Sequence, residues 1–136
     1  MRKIAVDLGD VRIGLASSDI MGIIASGHET YYRKGGDVDV DYIVEFAKKM
    51  EADTIVIGLP VNMDGTEGER AEISREFGRK LSEKTDCKIE YVDERLTSKS
   101  AERLLISADM RREKRKQVID KVAAAIILQS YLDKIN

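Results

Sequence analysis

Two short runs constrain the fold more than any other feature: "IAVDL" at residues 4–8 and "TIVIGLP" at residues 54–60 are almost continuously apolar. A strand with one wet face alternates apolar and polar side chains, whereas a strand covered on both faces has no polar side to show. Strands of this kind need helices above and below them. The segments around the two runs can supply those helices, so a layered α/β arrangement is expected.

Three strands are predicted first, at residues 3–8, 12–18 and 27–33, forming an antiparallel meander. "KGGD" at residues 34–37 breaks the chain. Ile43, Val44, Phe46 and Ala47 then recur at helical spacing between about residues 40 and 50, and the second apolar run follows as a strand ending at Gly58 and Pro60. "VNMDGTEGE" is a loop of turn formers, and a polar helix follows it to about Lys84. "KIEYVDERLTS" reads as a fifth strand that stops at acidic residues, after which Ser98 caps a short helix to about Ser107. "DMRREKRK" is a charged loop with nothing to bury, and a last helix spans about residues 117–132. The order β-β-β-α-β-α-β-α-α implies a five-stranded mixed sheet with helices on both faces, in one domain over residues 1–136.

A chain of 136 residues can bury a core without disulfides or a structural metal. Its one cysteine, Cys87, leaves no internal disulfide framework, and with one histidine, His28, there is no His/Cys cluster for zinc. The longest later apolar run, "VAAAIIL" at residues 122–128, is far shorter than the roughly 20 residues of a membrane span. Asp7 interrupts the first run before it reaches the length of a signal-peptide core. A cytoplasmic protein without a membrane partner is expected. Charged residues reach 35% of the chain, against a usual value of about 25%, yet the net charge is only −2. Nucleic-acid binding must therefore come from a local basic patch rather than from the whole surface.

Acidic residues stand where the predicted elements end. Asp7 lies just before the turn at Gly9, Asp93 and Glu94 close the fifth strand, and Asp120 falls in the first turn of the last helix. With strands one and five near the centre of the sheet, their ends would meet and the last helix would lie over them. At 100° per residue Asp120 shares a face with Ala123, Ala124, Ile127 and Tyr131, the side expected to pack inward. Grouped carboxylates repel one another, so either one keeps a proton or a cation lies between them. Mg²⁺ or Mn²⁺ takes oxygen ligands, and a pair of such ions can clamp the attacking and leaving oxygens of a phosphodiester.

Each acid also has a plainer role. Asp7 can serve as a turn acceptor, Asp120 as a favourable charge at a helix start, and Asp93 or Glu94 as a surface partner of Arg95 or Arg103. Only the combination favours a metal. Strand alternation puts Asp93 and Glu94 on opposite faces, and parity alone places Asp93 better.

Four segments in order, "VDLGDVRIGLASSD", "GLPVNMDGTEG", "DERLTS" and "DKVAAAIILQSYL", resemble the YqgF/RuvX family of pre-16S rRNA nucleases and Holliday-junction-resolvase-like proteins. The resemblance spans essentially the whole chain. It implies an RNase H-like fold and a divalent-metal endonuclease with Asp7, Glu94 and Asp120 as ligands and catalytic acids. Asp93 is then a neighbour supporting the ligands. Both RNA trimming and branched-DNA cleavage are implied as substrates by the family.

Several residues can touch such a substrate. Arg12 can grip a phosphate with two parallel bonds, or pair with Asp10 or Asp19 on the surface. Asn62 and the amides of its loop can line the cleft, or serve the loop alone. Thr97 and Ser98 suit a helix cap better than a phosphate contact. Arg111, Arg112, Lys114, Arg115 and Lys116, with Lys121 beyond them, form the one concentrated basic patch, able to hold a phosphate backbone beside Asp120. His28, Tyr31, Tyr32 and Tyr91 suit structural positions better than catalysis or base stacking.

The expected function is processing of the pre-16S rRNA end by a metal-dependent nuclease, acting as a monomer or homodimer. Cleavage of four-way DNA junctions, which needs a dimer, is the alternative within the enzyme class. A nucleic-acid binding module on an inactive scaffold is the alternative outside it. An ATPase of the actin-like kind needs a second lobe for which the chain is too short.

Overall fold

A computed structural model of the chain describes residues 1–94 and 112–136. Five strands, β1 (Arg2–Leu8), β2 (Arg12–Ser18), β3 (Ala25–Tyr32), β4 (Ala52–Leu59) and β5 (Lys88–Asp93), form one sheet in the order β3-β2-β1-β4-β5. β2 pairs antiparallel with both β1 and β3, while β1, β4 and β5 run parallel. Helices α1 (Gly36–Lys49) and α2 (Glu69–Lys84) provide the crossovers, and α3 (Arg112–Ile135) follows at the end of the chain. The mixed sheet with helices on both faces is as expected. One placement differs: β5 is an edge strand, not a central one, and β4 separates it from β1. The short helix expected from Ser98 to Ser107, with Thr97 and Arg111, lies outside the described residues.

The two faces of the sheet carry side chains of different size, and this decides how close each helix lies. Ile4, Val6, Ile13, Leu15, Ile55 and Ile57 point to one side, where they pack with Val40, Ile43 and Phe46 of α1 and Phe77 and Leu81 of α2. Each such fully buried Ile or Leu contributes roughly 1.5–3 kcal/mol. The other side shows Ala5, Ala16 and Val56 to Ala124, Ile127, Leu128 and Leu132 of α3. Small residues there let the α3 main chain settle onto the strands. A Cβ on Gly14 of β2 would collide with the Asp120 carbonyl, and one on Gly27 of β3 would lie 3.0 Å from the Lys121 carbonyl oxygen.

Helix α3 starts at Arg112, about five residues before the expected position. The stretch expected as a charged loop is therefore helical from that residue onward, and Asp120 lies past the second turn, outside the reach of the helix-terminus field. Helix α1 also starts early, directly at Gly36. Gly35 and Gly36 have φ of 100° and 54°, values glycine adopts without steric cost.

A buried carboxylate anchors that corner. Asp39, fully buried, accepts from the Tyr31 hydroxyl at 2.9 Å, Arg33 Nε at 3.0 Å and the backbone N–H groups of Lys34 and Gly35. Burial pushes its pKa up, but these bonds outweigh burial and hold the carboxyl below its ordinary value. His28 lies in β3 with its ring 4.9 Å from that of Phe46, a packing position. Among the described residues no helix is long and apolar enough to cross a membrane.

Because the group facing Gly14 is main chain and cannot rotate away, Gly14→Ala must shift α3 bodily. The expected cost is about 1–3 kcal/mol, read as a lower urea midpoint at unchanged slope.

Candidate functional site

The carboxyl-terminal ends of the parallel strands lie side by side, and register decides which acids meet. Val6 of β1 pairs with Ile57 of β4, so Asp7 and Gly58 come one step later. Across the sheet Asp7 faces Gly14 of β2, and Gly58 faces Val92 of β5. The acid thus stands between two glycines. Alternation puts Asp7 on the α3 side with Ala5, and Glu94 on that side with Val92. Asp93 follows Ile89 and Tyr91 onto the α1/α2 side. Parity separates the two acids, but the register places Glu94, rather than Asp93, on the face of Asp7.

Although β4 lies between them, Glu94 reaches Asp7 and the two side chains share a hydrogen bond. The gap over Gly58 permits it. A Cβ there would collide with the Glu94 carboxylate and approach Ile127 Cδ1 to 2.6 Å. The Glu94 backbone N–H also donates to the Leu59 carbonyl at 3.2 Å, carrying the register one residue beyond β5.

Both acids are held in their protonated form more firmly than usual. Burial raises Asp7 to about 6, with the Asp120 charge adding to the rise and the bond from Glu94 opposing it. Glu94 is pushed to about 8, chiefly by burial, then by the charge and hydrogen bond of Asp7, while Arg70 pulls it back. Two partly desolvated carboxyls in contact cannot both ionise cheaply, so near neutral pH they share one proton.

Asp120 adjoins the pair from α3, but its Oδ2 accepts from Arg12 Nε at 2.6 Å. Among the described residues no three His, Cys, Asp or Glu side chains form a ready-made cation cluster: Asp7 and Glu94 are together, and Asp120 is engaged elsewhere. The surface pairings considered for Arg12 do not occur. Asp10 instead pairs with Arg70 at 3.2 Å, and Asp19 accepts the backbone N–H groups of Ile23 and Ile24.

The turn that carries Arg12 is fixed at several points. Its backbone carbonyl accepts from the Gly9 N–H at 2.9 Å, and Arg33 donates from Nη1 to the Gly9 carbonyl at 2.8 Å and from its main chain to that of Val11 at 2.9 Å. Through Arg33 the buried Asp39 steadies the site. Sequence reasoning missed Arg33, Asp39, Arg70 and Gly58. Of these only Gly58 left a signal, a lone glycine inside the β-branched run "TIVIGLP".

Asn62 is exposed and bonded within its own loop, its amide donating to Thr66 Oγ1 at 3.0 Å. Arg112, Lys114, Arg115 and Lys116 belong to the opening turns of α3, and Lys121 follows Asp120 where the helix crosses Gly27.

A family model described as "RuvX: Holliday junction resolvase" matches residues 1–134. The chain is 49% identical over 133 residues to a "Putative pre-16S rRNA nuclease" of Syntrophomonas wolfei, covering 98% of this chain and 94% of the relative. It is 48% identical over 136 residues to a protein of the same name from Halalkalibacterium halodurans, covering 98% and 97%. Two solved structures share its fold at low identity. Thermus thermophilus RuvC in complex with Holliday junction substrate superposes with a TM-score of 0.60 at 9% identity, over 100% of this chain and 96% of that one. Fowlpox virus resolvase with junction DNA gives 0.60 at 12% identity, over 99% of each. The fold is thus the RNase H-like one of RuvC-type resolvases.

The raised carboxyls have a direct consequence for stability. A folded-state pKa above the unfolded value, about 4 for such acids, stabilises the fold below that pH and is lost as pH rises toward 8. In EDTA, the melting temperature of wild type is expected to fall relative to Asp7→Asn between pH 5 and 8, leaving the variant higher by about 3 °C or more at pH 8. Parallel curves for the two proteins would show that no proton is shared.

Proposed function

Because the chain belongs to the RuvX family, we propose that it is a metal-dependent endonuclease that processes the end of pre-16S rRNA in the cytoplasm. The observation that carries this reading is the Asp7–Glu94 pair, assembled over Gly58 at the strand ends with Asp120 alongside. The relatives' name supports the RNA substrate.

The donor set fits a divalent ion. It offers carboxylate oxygens alone, the ligands of Mg²⁺ and Mn²⁺, and the missing side chain at Gly58 lets the Glu94 carboxylate lie beside Asp7. Asp7, Glu94 and Asp120 would hold the ions, while Asp93 stands on the opposite side of the sheet. Bound ions of this kind supply charge neutralisation, an activated water and stabilisation of the departing oxygen. The protein's own part is to gather the acids and hold the backbone of the substrate. Arg12, at the mouth of the site, is placed to meet the phosphate at the point of cleavage. The basic run Arg111, Arg112, Lys114, Arg115 and Lys116, with Lys121 beyond it, would take the phosphates further along, with Asn62 as a further contact. Contacts to phosphate position a strand without reading its sequence, so selection of the cleavage point rests on RNA shape.

A second reading, resolution of four-way DNA junctions, is favoured by the likeness to junction-bound resolvases. Paired cuts would need two copies of the chain, and light scattering on the purified protein decides whether it is a monomer or a homodimer. A binding module without activity is the third reading; the three acids count against it.

The deciding experiment compares wild type and Asp7→Asn on precursor 16S rRNA, a synthetic four-way junction and linear duplex, with Mn²⁺ or EDTA. Wild type is expected to cut the precursor in Mn²⁺ and not in EDTA, and Asp7→Asn to retain its fold without cutting. Cleavage of the junction alone would select the second reading. Undiminished cleavage by Asp7→Asn would remove the carboxylate site from the reaction, and binding without cleavage of any substrate would select the third.

A further inference from the structure

The Arg12–Asp120 contact joins two rigidly held backbones. Arg12 belongs to a turn closed by the Gly9–Arg12 hydrogen bond and tied to Arg33. Asp120 belongs to the part of α3 whose carbonyl lies directly against Gly14. Neither main chain can approach or retreat, so only the two side chains can change partners. The bond to Asp120 runs from Arg12 Nε. A guanidinium has a second pair of donors in a fork that matches two phosphate oxygens. The Arg12 side chain is 30% exposed and that of Asp120 is 19% exposed, so the pair lies at the mouth of the site rather than sealed within it. The charge of Asp120 already bears on Asp7, which places this exchange within reach of the carboxylate pair.

We propose that Arg12 trades partners: it holds Asp120 as a counter-charge, competes with a divalent cation for that carboxylate, and passes to the phosphodiester when substrate is bound. This rests on the metal-nuclease reading above. The exchange lets one side chain serve both anions in turn. It keeps the third acid compensated before substrate arrives and delivers a free guanidinium to the phosphate as Asp120 joins the other two ligands. No covalent bond changes in the exchange, and one ion pair is traded for another.

The proposal predicts effects of opposite sign, which a merely structural arginine would not produce. Mn²⁺ affinity is measured by calorimetry in the absence of nucleic acid, and KM is measured separately at saturating Mn²⁺. Arg12→Gln is expected to bind Mn²⁺ about 1.5- to 5-fold more tightly, the release of one partly exposed ion pair, while KM for the substrate rises. Adding Arg12→Gln to Asp120→Asn is expected to give no further tightening, because the competed carboxylate is already neutral. Weaker or unchanged Mn²⁺ binding by a folded Arg12→Gln would overturn the proposal. Should that variant not fold, Arg12→Lys keeps the charge without the fork, and an unchanged KM in it would overturn the proposal equally. Mn²⁺ binding and cleavage by wild type with no effect of Arg12→Gln would sink this inference alone. Failure of wild type to bind Mn²⁺ would sink the metal-nuclease reading with it.

Discussion

Glu94 and Asp7 meet across a strand that should keep them apart, and the rest of the site depends on that contact. Adjacent strands in a sheet lie about 4.8 Å apart, so acids on strands one and three of a parallel set are separated by a whole strand and its side chains. Gly58 removes the obstruction. With no Cβ at that position, the Glu94 side chain occupies the volume a residue of β4 would fill, and Ile127 of α3 closes the space from above. Burial then raises both acids and leaves them sharing a proton. A glycine whose main role is spatial thereby sets an electrostatic property two strands wide.

Around this pair a buried carboxylate fixes positions. Asp39 gathers four donors from Tyr31, Arg33, Lys34 and Gly35, and Arg33 in turn bonds the turn between β1 and β2. That turn presents Arg12. On the other side Gly14 and Gly27 let the α3 main chain sit on the sheet, which brings Asp120 to the edge of the pair. Three acids, from β1, from just past β5 and from α3, are thus supported by separate devices: a strand register, a missing side chain and a helix seated on glycines.

Much of this architecture can be read from pattern alone. Continuous apolar runs at Ile4–Leu8 and Thr54–Leu59 announce strands covered on both faces, and helical spacing at Ile43, Val44, Phe46 and Ala47 announces α1. Boundaries are less legible where packing overrides local preference. The basic stretch from Arg112 has no apolar face to mark it as helix, yet α3 extends through it. "KGGD" looks like a break and is also the start of α1, because glycines at φ of 100° and 54° turn the chain straight into the helix.

The residue types of the site were within reach of the sequence: acids interrupting or ending apolar strands, a basic stretch before an amphipathic helix, and an arginine after the first turn. Periodicity also separated Asp93 from Glu94, since neighbours on a strand must face opposite ways. Parity alone favoured Asp93 and the family resemblance favoured Glu94; the register of three strands puts Glu94 beside Asp7, because parity fixes relative and not absolute facing. The partner of Arg12 was likewise a tertiary matter. Asp10 and Asp19 are near in sequence, but Asp120, more than a hundred residues away, is the acid that the seating of α3 on Gly14 brings within 2.6 Å.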